Sequence, residues 1–308
     1  MTKIIIDSAS DFTQEEIKEF NLEPLYVSVI DTDDIESIYR DGLDIKTSEI
    51  YKNMRNGKIY KTSQINLNQY LECFEKVCKE GEDFIYICLS YGLTTAWDSS
   101  CMAIQMLKEK YPNIKMVSIN SKAMTIGEQL IVREIIKMNN EGKSIEELEE
   151  RAKFLAGKVN HLFTVEDLEY LYRGGRISKA IKAVGQVLNI KPLLANDENG
   201  ALILKDKVRG EAKVYKKILN LYFDDVRRNP DILKHTIIGH TDNLANAQKL
   251  YEMINEEFDA KDIAIREIGT AIGAHVGPGC LAIAYIDETK GYMSNIGETY
   301  WFKSLFLR

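Results

Sequence analysis

Residues 269–285 read GTAIGAHVGPGCLAIAY and set one histidine, His275, among Gly269, Gly273, Gly277, Gly279 and Pro278. Histidine changes charge near neutral pH, so it can move a proton or hold a chosen tautomer. Glycine lets backbone approach a ligand closely, and proline stiffens a turn. The chain has four histidines, at 161, 235, 240 and 275, and this one reads as sitting in a loop built for close approach. A histidine that merely bonds a backbone carbonyl is an equal rival on this segment alone. Nucleotide motifs are excluded here. No G-x-G-x-x-G follows a strand, and Gly142-Lys143-Ser144 lacks the upstream glycine of a phosphate loop because position 137 is Lys.

Three further clusters carry polar chemistry: Asp7-Ser8-x-Ser10-Asp11, Thr62-Ser63-Gln64, and Leu168-Glu169-Tyr170-Leu171-x-Arg173-Gly174-Gly175-Arg176-Ile177. The first tempts an acid–base reading. Asp and Ser after a strand more often brace the next helix, and the same holds for Asp98 and Asp242. Thr62-Ser63-Gln64 reads either as an N-cap before Leu67 or as a set of hydroxyl donors. Arg173 and Arg176 read from residue type alone as a helix end with solvated arginines.

These residues must be positioned by elements, and the apolar periodicity supplies them. Strands are expected over 3–6, 25–30, 84–89 and 114–119. Helices are expected over 13–20, 48–55, 67–79, 95–110, 124–138 and 144–158, with capping boxes at Thr13-x-x-Glu16 and Ser144-x-x-Glu147. Such alternation means βαβ units and a parallel sheet. Ligands bind beyond the carboxyl ends of such strands, where the expected segments are 7–11, 62–64, 90–95 and 120–125. After about residue 159 the texture changes. Strands are expected over 161–165, 235–239, 262–268 and 280–286. A short helix over 167–172 breaks at Gly174-Gly175, a hairpin surrounds 197–200, and helices cover 211–227 and 243–258. The chain therefore reads as α/β with two domains. An N-terminal doubly wound parallel-sheet domain spans 1–158, and a C-terminal α/β domain with a mixed sheet spans 159–308.

Composition narrows the function classes. The 308 residues leave room for a large core, and a net charge of −7 argues against nucleic acid as the main partner. Residues 1–6 read as a strand start with no basic n-region or apolar h-region, so no secretory signal is expected, and no apolar run is long enough to span a bilayer. The five cysteines, at 73, 78, 88, 101 and 280, form no C-x-x-C. They favour buried thiols in a reducing cytoplasm, and the scattered histidines argue against a zinc site. Residues 291–308 read GYMSNIGETYWFKSLFLR. This aromatic tail is expected to pack as an extra strand or helix on the second domain rather than to face a membrane or partner.

Taken together and in order, the four motifs resemble the DegV family of bacterial fatty-acid-binding proteins over about residues 3–285. The resemblance implies a two-domain fold holding a long-chain fatty acid such as palmitate, stearate or oleate between the domains, with no other cofactor. It also implies presentation of the carboxylate to a fatty acid kinase subunit, with room for transient membrane contact. It places Thr62, Ser63 and His275 near the carboxylate. Family members commonly carry Ser-Ser-Gly-x-Ser-Gly after the strand at 84–89, where this chain has Ser90-Tyr91-Gly92-Leu93-Thr94-Thr95. The carboxylate serines thus fall on Tyr91 and Thr94. Arg173, Arg176 and Arg209 match basic positions tied to partner or phosphate contact, to which a guanidinium fork is suited. The physics is compatible. Each buried CH₂ contributes ~0.8 kcal/mol, on the order of 10 kcal/mol for a sixteen-carbon chain before ordering costs, while a buried carboxylate demands donors. The expected protein is a non-enzymatic cytoplasmic carrier. The alternatives are a small hydrolase or acyltransferase using His275 as base, disfavoured because no G-x-S-x-G occurs, and a lipid-sensing module.

Overall fold

The structure, a computed structural model, describes residues 1–185 and 187–290. The aromatic tail over 291–308 lies outside the described residues. Thirteen strands and eleven α-helices are found among the described residues. The strands are β1 Lys3–Asp7, β2 Glu23–Leu25, β3 Ser28–Asp31, β4 Ile38–Arg40, β5 Tyr60–Ser63, β6 Phe84–Cys88, β7 Met116–Asn120, β8 Val159–Thr164, β9 Ile190–Asn196, β10 Leu202–Arg209, β11 Thr236–His240, β12 Ala264–Glu267 and β13 Leu281–Ile286. The helices are α1 Gln14–Glu19, α2 Thr47–Arg55, α3 Leu67–Lys79, α4 Ala96–Lys108, α5 Thr125–Asn140, α6 Ile145–Leu155, α7 Glu169–Arg173, α8 Lys179–Gly185, α9 Glu211–Arg228, α10 Leu244–Phe258 and α11 Thr270–Val276.

A parallel sheet in the order β2-β1-β6-β7 organises the first domain. Its faces alternate by residue. Ile4, Ile6, Ile85 and Ile87 point toward α5 and α6, while Ile5, Phe84, Tyr86 and Cys88 point toward α3 and α4. Helices on both faces leave every residue of β6 buried, which is why that strand reads as an unbroken apolar run. The second domain holds a six-stranded mixed sheet in the order β10-β9-β8-β13-β11-β12. One face, with Leu162, Ile238, Ile283 and Tyr285, packs on α9 and α10. The other, with Phe163, Ile237, Ala282 and Ala284, joins the cluster that contains Ile126, Leu130, Ile131 and Ile135 of α5. One continuous core thus runs from the first sheet through α5 and α6 to the second.

The single strand expected over 25–30 is divided in the structure. Leu25 ends β2 in the parallel sheet, whereas Ser28 begins β3 of a separate antiparallel sheet in the order β4-β3-β5. That small sheet carries Thr62 and Ser63 on β5, so they do not follow a parallel strand as expected. The other three expected segments do follow parallel strands β1, β6 and β7. His275 also departs from expectation, because it lies on helix α11 rather than in a loop. Extended Gly269 opens this helix, and Gly277, at φ 74°, closes it in the left-handed region that glycine adopts without penalty. Short helix α8 and edge strand β4 carry periodicity too brief to read.

Gly127 marks how tightly α5 is held. A Cβ there would fall well inside contact distance of the buried His161 ring and within 2.9 Å of Val159 Cγ1. Gly127→Ala is therefore expected to lower stability by about 1–3 kcal/mol despite the better helix propensity of alanine. Denaturant unfolding checks this, and a stabilised variant would show that the two layers can part without cost.

Candidate binding site

The seam between the domains is built by α11. This second-domain helix packs against β3, β5 and α2 of the first domain and against α7. Tyr51 of α2 donates its hydroxyl to the Ile268 carbonyl at 2.5 Å, and Arg55 forms ion pairs with Asp242 and Glu166 across the same seam. Beside α11 opens a cavity of about 470 Å³, within the range of roughly 300–1,000 Å³ usual for small-molecule sites. Its apolar wall comes from Ala9, Val27, Ile65, Leu89, Leu93, Ala96, Met124, Leu171, Leu202, Ala271, Ile272 and Val276. Its polar lining comes from Asp7, Thr62, Ser63, Gln64, Thr94, Thr95, Arg176 and His275.

The structure brings Thr62 and His275 together: Thr62 Oγ1 and His275 Nε2 lie 2.7 Å apart. His275 Nδ1 is buried with no partner among the described residues. A proton on Nδ1 would strand a buried donor, which native structures avoid more strictly than a stranded acceptor. The proton therefore belongs on Nε2, which donates to Thr62 and leaves the Thr62 hydroxyl proton free for the cavity. Burial, reinforced by the nearby Arg176 guanidinium, lowers the His275 pKa to about 4. Ser63 lines the same wall in an exposed position. Thr94 lines it too, but its hydroxyl is already engaged. It donates to Gln64 Oε1 at 3.3 Å and accepts from the Ala96 amide at 3.3 Å.

Tyr91 is not among the lining residues. Its side chain is 47% exposed, and its ring meets Trp97 edge-on at 6.2 Å. The three arginines separate. Arg176 lines the cavity and is half-buried; its guanidinium donates to the Gly174 carbonyl and meets no carboxylate among the described residues. Arg173 is turned to Glu169 at 3.7 Å and stands over the Tyr170 ring. Arg209 is exposed at the end of β10, paired in register with Ile190.

Gln64 and Met124 fall within the expected ligand-facing segments 62–64 and 120–125, whereas Leu202 of β10 enters the wall with no signal in the residue pattern. Asp7, read as a brace, does brace: its carboxylate accepts the Ala9 amide at 3.0 Å and the Leu89 amide at 2.9 Å. It also lines the cavity. Burial, with a smaller contribution from Asp41, raises its pKa to about 6 against these amide bonds.

A family model described as "Uncharacterised protein, DegV family" matches residues 1–288. The chain belongs to the DegV family. A DegV domain-containing protein of Clostridium perfringens is 34% identical over 296 residues, covering 94% of this chain and 99% of that protein. Among solved structures, a stearic-acid-binding protein from Eubacterium ventriosum superimposes with a TM-score of 0.83 at 24% identity, covering 94% of this chain and 99% of that one. A DegV family protein from Thermus thermophilus, described by its fatty acid binding, gives a TM-score of 0.80 at 24% identity over 93% of this chain and 99% of that one. At that identity the likeness establishes the shared two-domain α/β fold. No helix among the described residues is long and apolar enough to cross a membrane.

The lowered pKa of His275 has a pH signature. Its folded value lies below the ordinary 6.5, so the unfolded chain binds more protons between the two. The contribution of His275 to stability is therefore complete above about pH 6.5 and is lost as pH falls toward 4. In a heteronuclear NMR titration of ligand-free protein the His275 ring should stay neutral through pH 5.5. A midpoint near 6.5 would show a solvated ring and remove the tautomer argument.

Proposed function

We propose that this chain binds one long-chain fatty acid in the cavity at the domain seam and presents its carboxylate to a partner kinase. The observation that carries the reading is an apolar cavity whose polar lining holds an arginine, Arg176, with no carboxylate partner among the described residues. An unpaired guanidinium half-removed from water is costly unless a ligand anion meets it. Here burial lowers the pKa of Arg176. Thr62 adds a hydroxyl proton oriented by His275, and the apolar wall accepts methylenes at ~0.8 kcal/mol each. The stearic-acid-binding relative in fold supports the same ligand class. We place the domain division near residue 158, so that the ligand touches both domains.

The kinase step rests on the family resemblance and on the exposure of Ser63, Gln64 and Thr95 at the cavity rim. Arg173 and Arg209, outside the cavity, are assigned to partner or phosphate contact. Loading from a lipid surface fits the turn after α8, where Val187 and Leu188 are exposed beside Lys191 and Arg209. A cytoplasmic location accords with all three. The hydrolase alternative has one observation in its favour, the 2.7 Å approach of Thr62 and His275. A nucleophile's base is itself oriented by a third group, and His275 Nδ1 has none among the described residues, so the carrier reading is preferred.

Purified protein should carry a fatty acid at about one per chain, read by denaturing extraction and lipid mass spectrometry. Lipid-free protein that also ignores C14–C18 acids would sink the carrier reading. Thr62→Ala should weaken binding by about 1.5–3 kcal/mol. Ser10→Ala should leave it nearly unchanged, because Ser10 is not a lining residue and its hydroxyl is spent on the Asp7 carbonyl at 2.7 Å. Calorimetry on both variants checks the pair.

The arginines should separate in the same way. Arg176→Ala should lower fatty-acid affinity at least tenfold, about the loss of one charged hydrogen bond. Arg209→Ala should hold affinity within about threefold and slow acyl-phosphate formation by the cognate kinase. Wild-type turnover in Arg209→Ala would return that residue to the ordinary solvated surface.

A further inference from the structure

We propose that the side-chain amide of Gln64 is a carboxylate donor, making Gln64 a residue that selects a free acid over a neutral acyl compound in this chain. The inference rests on the fatty-acid reading and goes beyond it by naming what takes over where the family's serine position is filled by Tyr91.

The argument is one of hydrogen-bond accounting. Gln64 Oε1 accepts two hydroxyls, from Thr95 at 3.0 Å and from Thr94 at 3.3 Å. With Oε1 on these two hydroxyls, both threonine protons are used and the amide nitrogen is left over. Oε1 thus stands toward the threonines and Nε2 away from them. Nε2 itself has no partner among the described residues, and Gln64 lines the same cavity as Thr62, Ser63, His275 and Arg176. Thr94 has only one proton, and it is spent on Gln64, while its oxygen accepts the Ala96 amide. Tyr91 is turned out against Trp97. Neither residue at the serine positions offers a free donor to the cavity. The threonines act as positioning residues, and the amide is the group that reaches the ligand. A carboxylate has lone pairs for several donors, and Thr62, Gln64 and Arg176 together supply a hydroxyl, an amide and a guanidinium.

The test compares palmitate with palmityl alcohol on three proteins at pH 7.5: wild type, Gln64→Glu and Gln64→Met. Glutamate keeps two oxygens for Thr94 and Thr95 but replaces the donor with negative charge. Methionine keeps the length and removes both functions. Gln64→Glu should lose palmitate affinity by about ten- to hundredfold, the range for a charged hydrogen bond, while alcohol affinity stays within about threefold. Gln64→Met should show the same selective loss at smaller size. Palmitate binding of wild-type strength in Gln64→Glu would overturn the proposal and leave Gln64 as an acceptor for the threonines. Equal loss of acid and alcohol would overturn it as well, since that pattern marks a damaged wall. Wild-type protein that binds neither ligand would overturn the fatty-acid reading and this assignment together.

Discussion

Helix α5 is apolar enough to be buried on nearly all sides, and that burial decides how the two domains meet. Eleven of its residues, from Thr125 to Asn139, are buried, and they touch strands of both large sheets. An ordinary surface helix offers one apolar stripe and leaves its other face to water. Here Ile126, Leu130, Ile131 and Ile135 join a cluster fed by β1 and β6 on one side and by β8, β11 and β13 on the other. Because the two sheets share this helix, the seam between domains is a packed layer, and the cavity opens where that layer ends. Met124, the residue before α5, is part of the cavity wall.

The start of α5 is also where the fold concentrates its costs. Thr125 takes φ 46°, a conformation expensive for a β-branched residue and worth of order 1–3 kcal/mol. Its hydroxyl is held by the Asp11 carboxyl. Asp7, Asp11, Asp41 and Glu128 lie within this region, all shielded from water, and burial raises the pKa of each. The Glu128 oxygens have no partner among the described residues, and a protonated carboxyl is the form that such a site tolerates. Residues held against their preference at one place, beside a cavity, mark a region shaped for something other than stability.

Much of the architecture was legible because it follows from burial on two faces. The apolar run expected as a strand over 84–89 forms the inner strand β6, and Thr13-x-x-Glu16 and Ser144-x-x-Glu147 form the capping boxes that their residue types announce. The site was legible through residue types but not through their company. Thr62 and His275 are 213 positions apart, and nothing local says that a small antiparallel sheet will carry one to the other. The strands within 23–31, of three and four residues, are too short to show where one sheet ends and the next begins. Arg176 and Arg209 look alike as basic residues near turns. Only the packing of α7 and α11 turns the first into the cavity and leaves the second on an exposed strand end.

That difference in company governs the electrostatics of the cavity. A carboxylate brought out of water needs donors and, in a region already holding several acids, a positive charge as well. His275 is an unsuitable source of it, because its buried ring stays neutral beside Arg176. Arg176 remains charged at any pH a cell provides, so the positive charge and the proton placement fall to different residues. The neutral imidazole is then free to act only as an orienting donor to Thr62. The division also accounts for Gly174. A Cβ there would meet the His275 ring, and the Gly174 carbonyl receives the Arg176 guanidinium, so this one glycine seats both groups. A larger residue at that position would displace the histidine and the arginine together, and with them the proton donor and the charge.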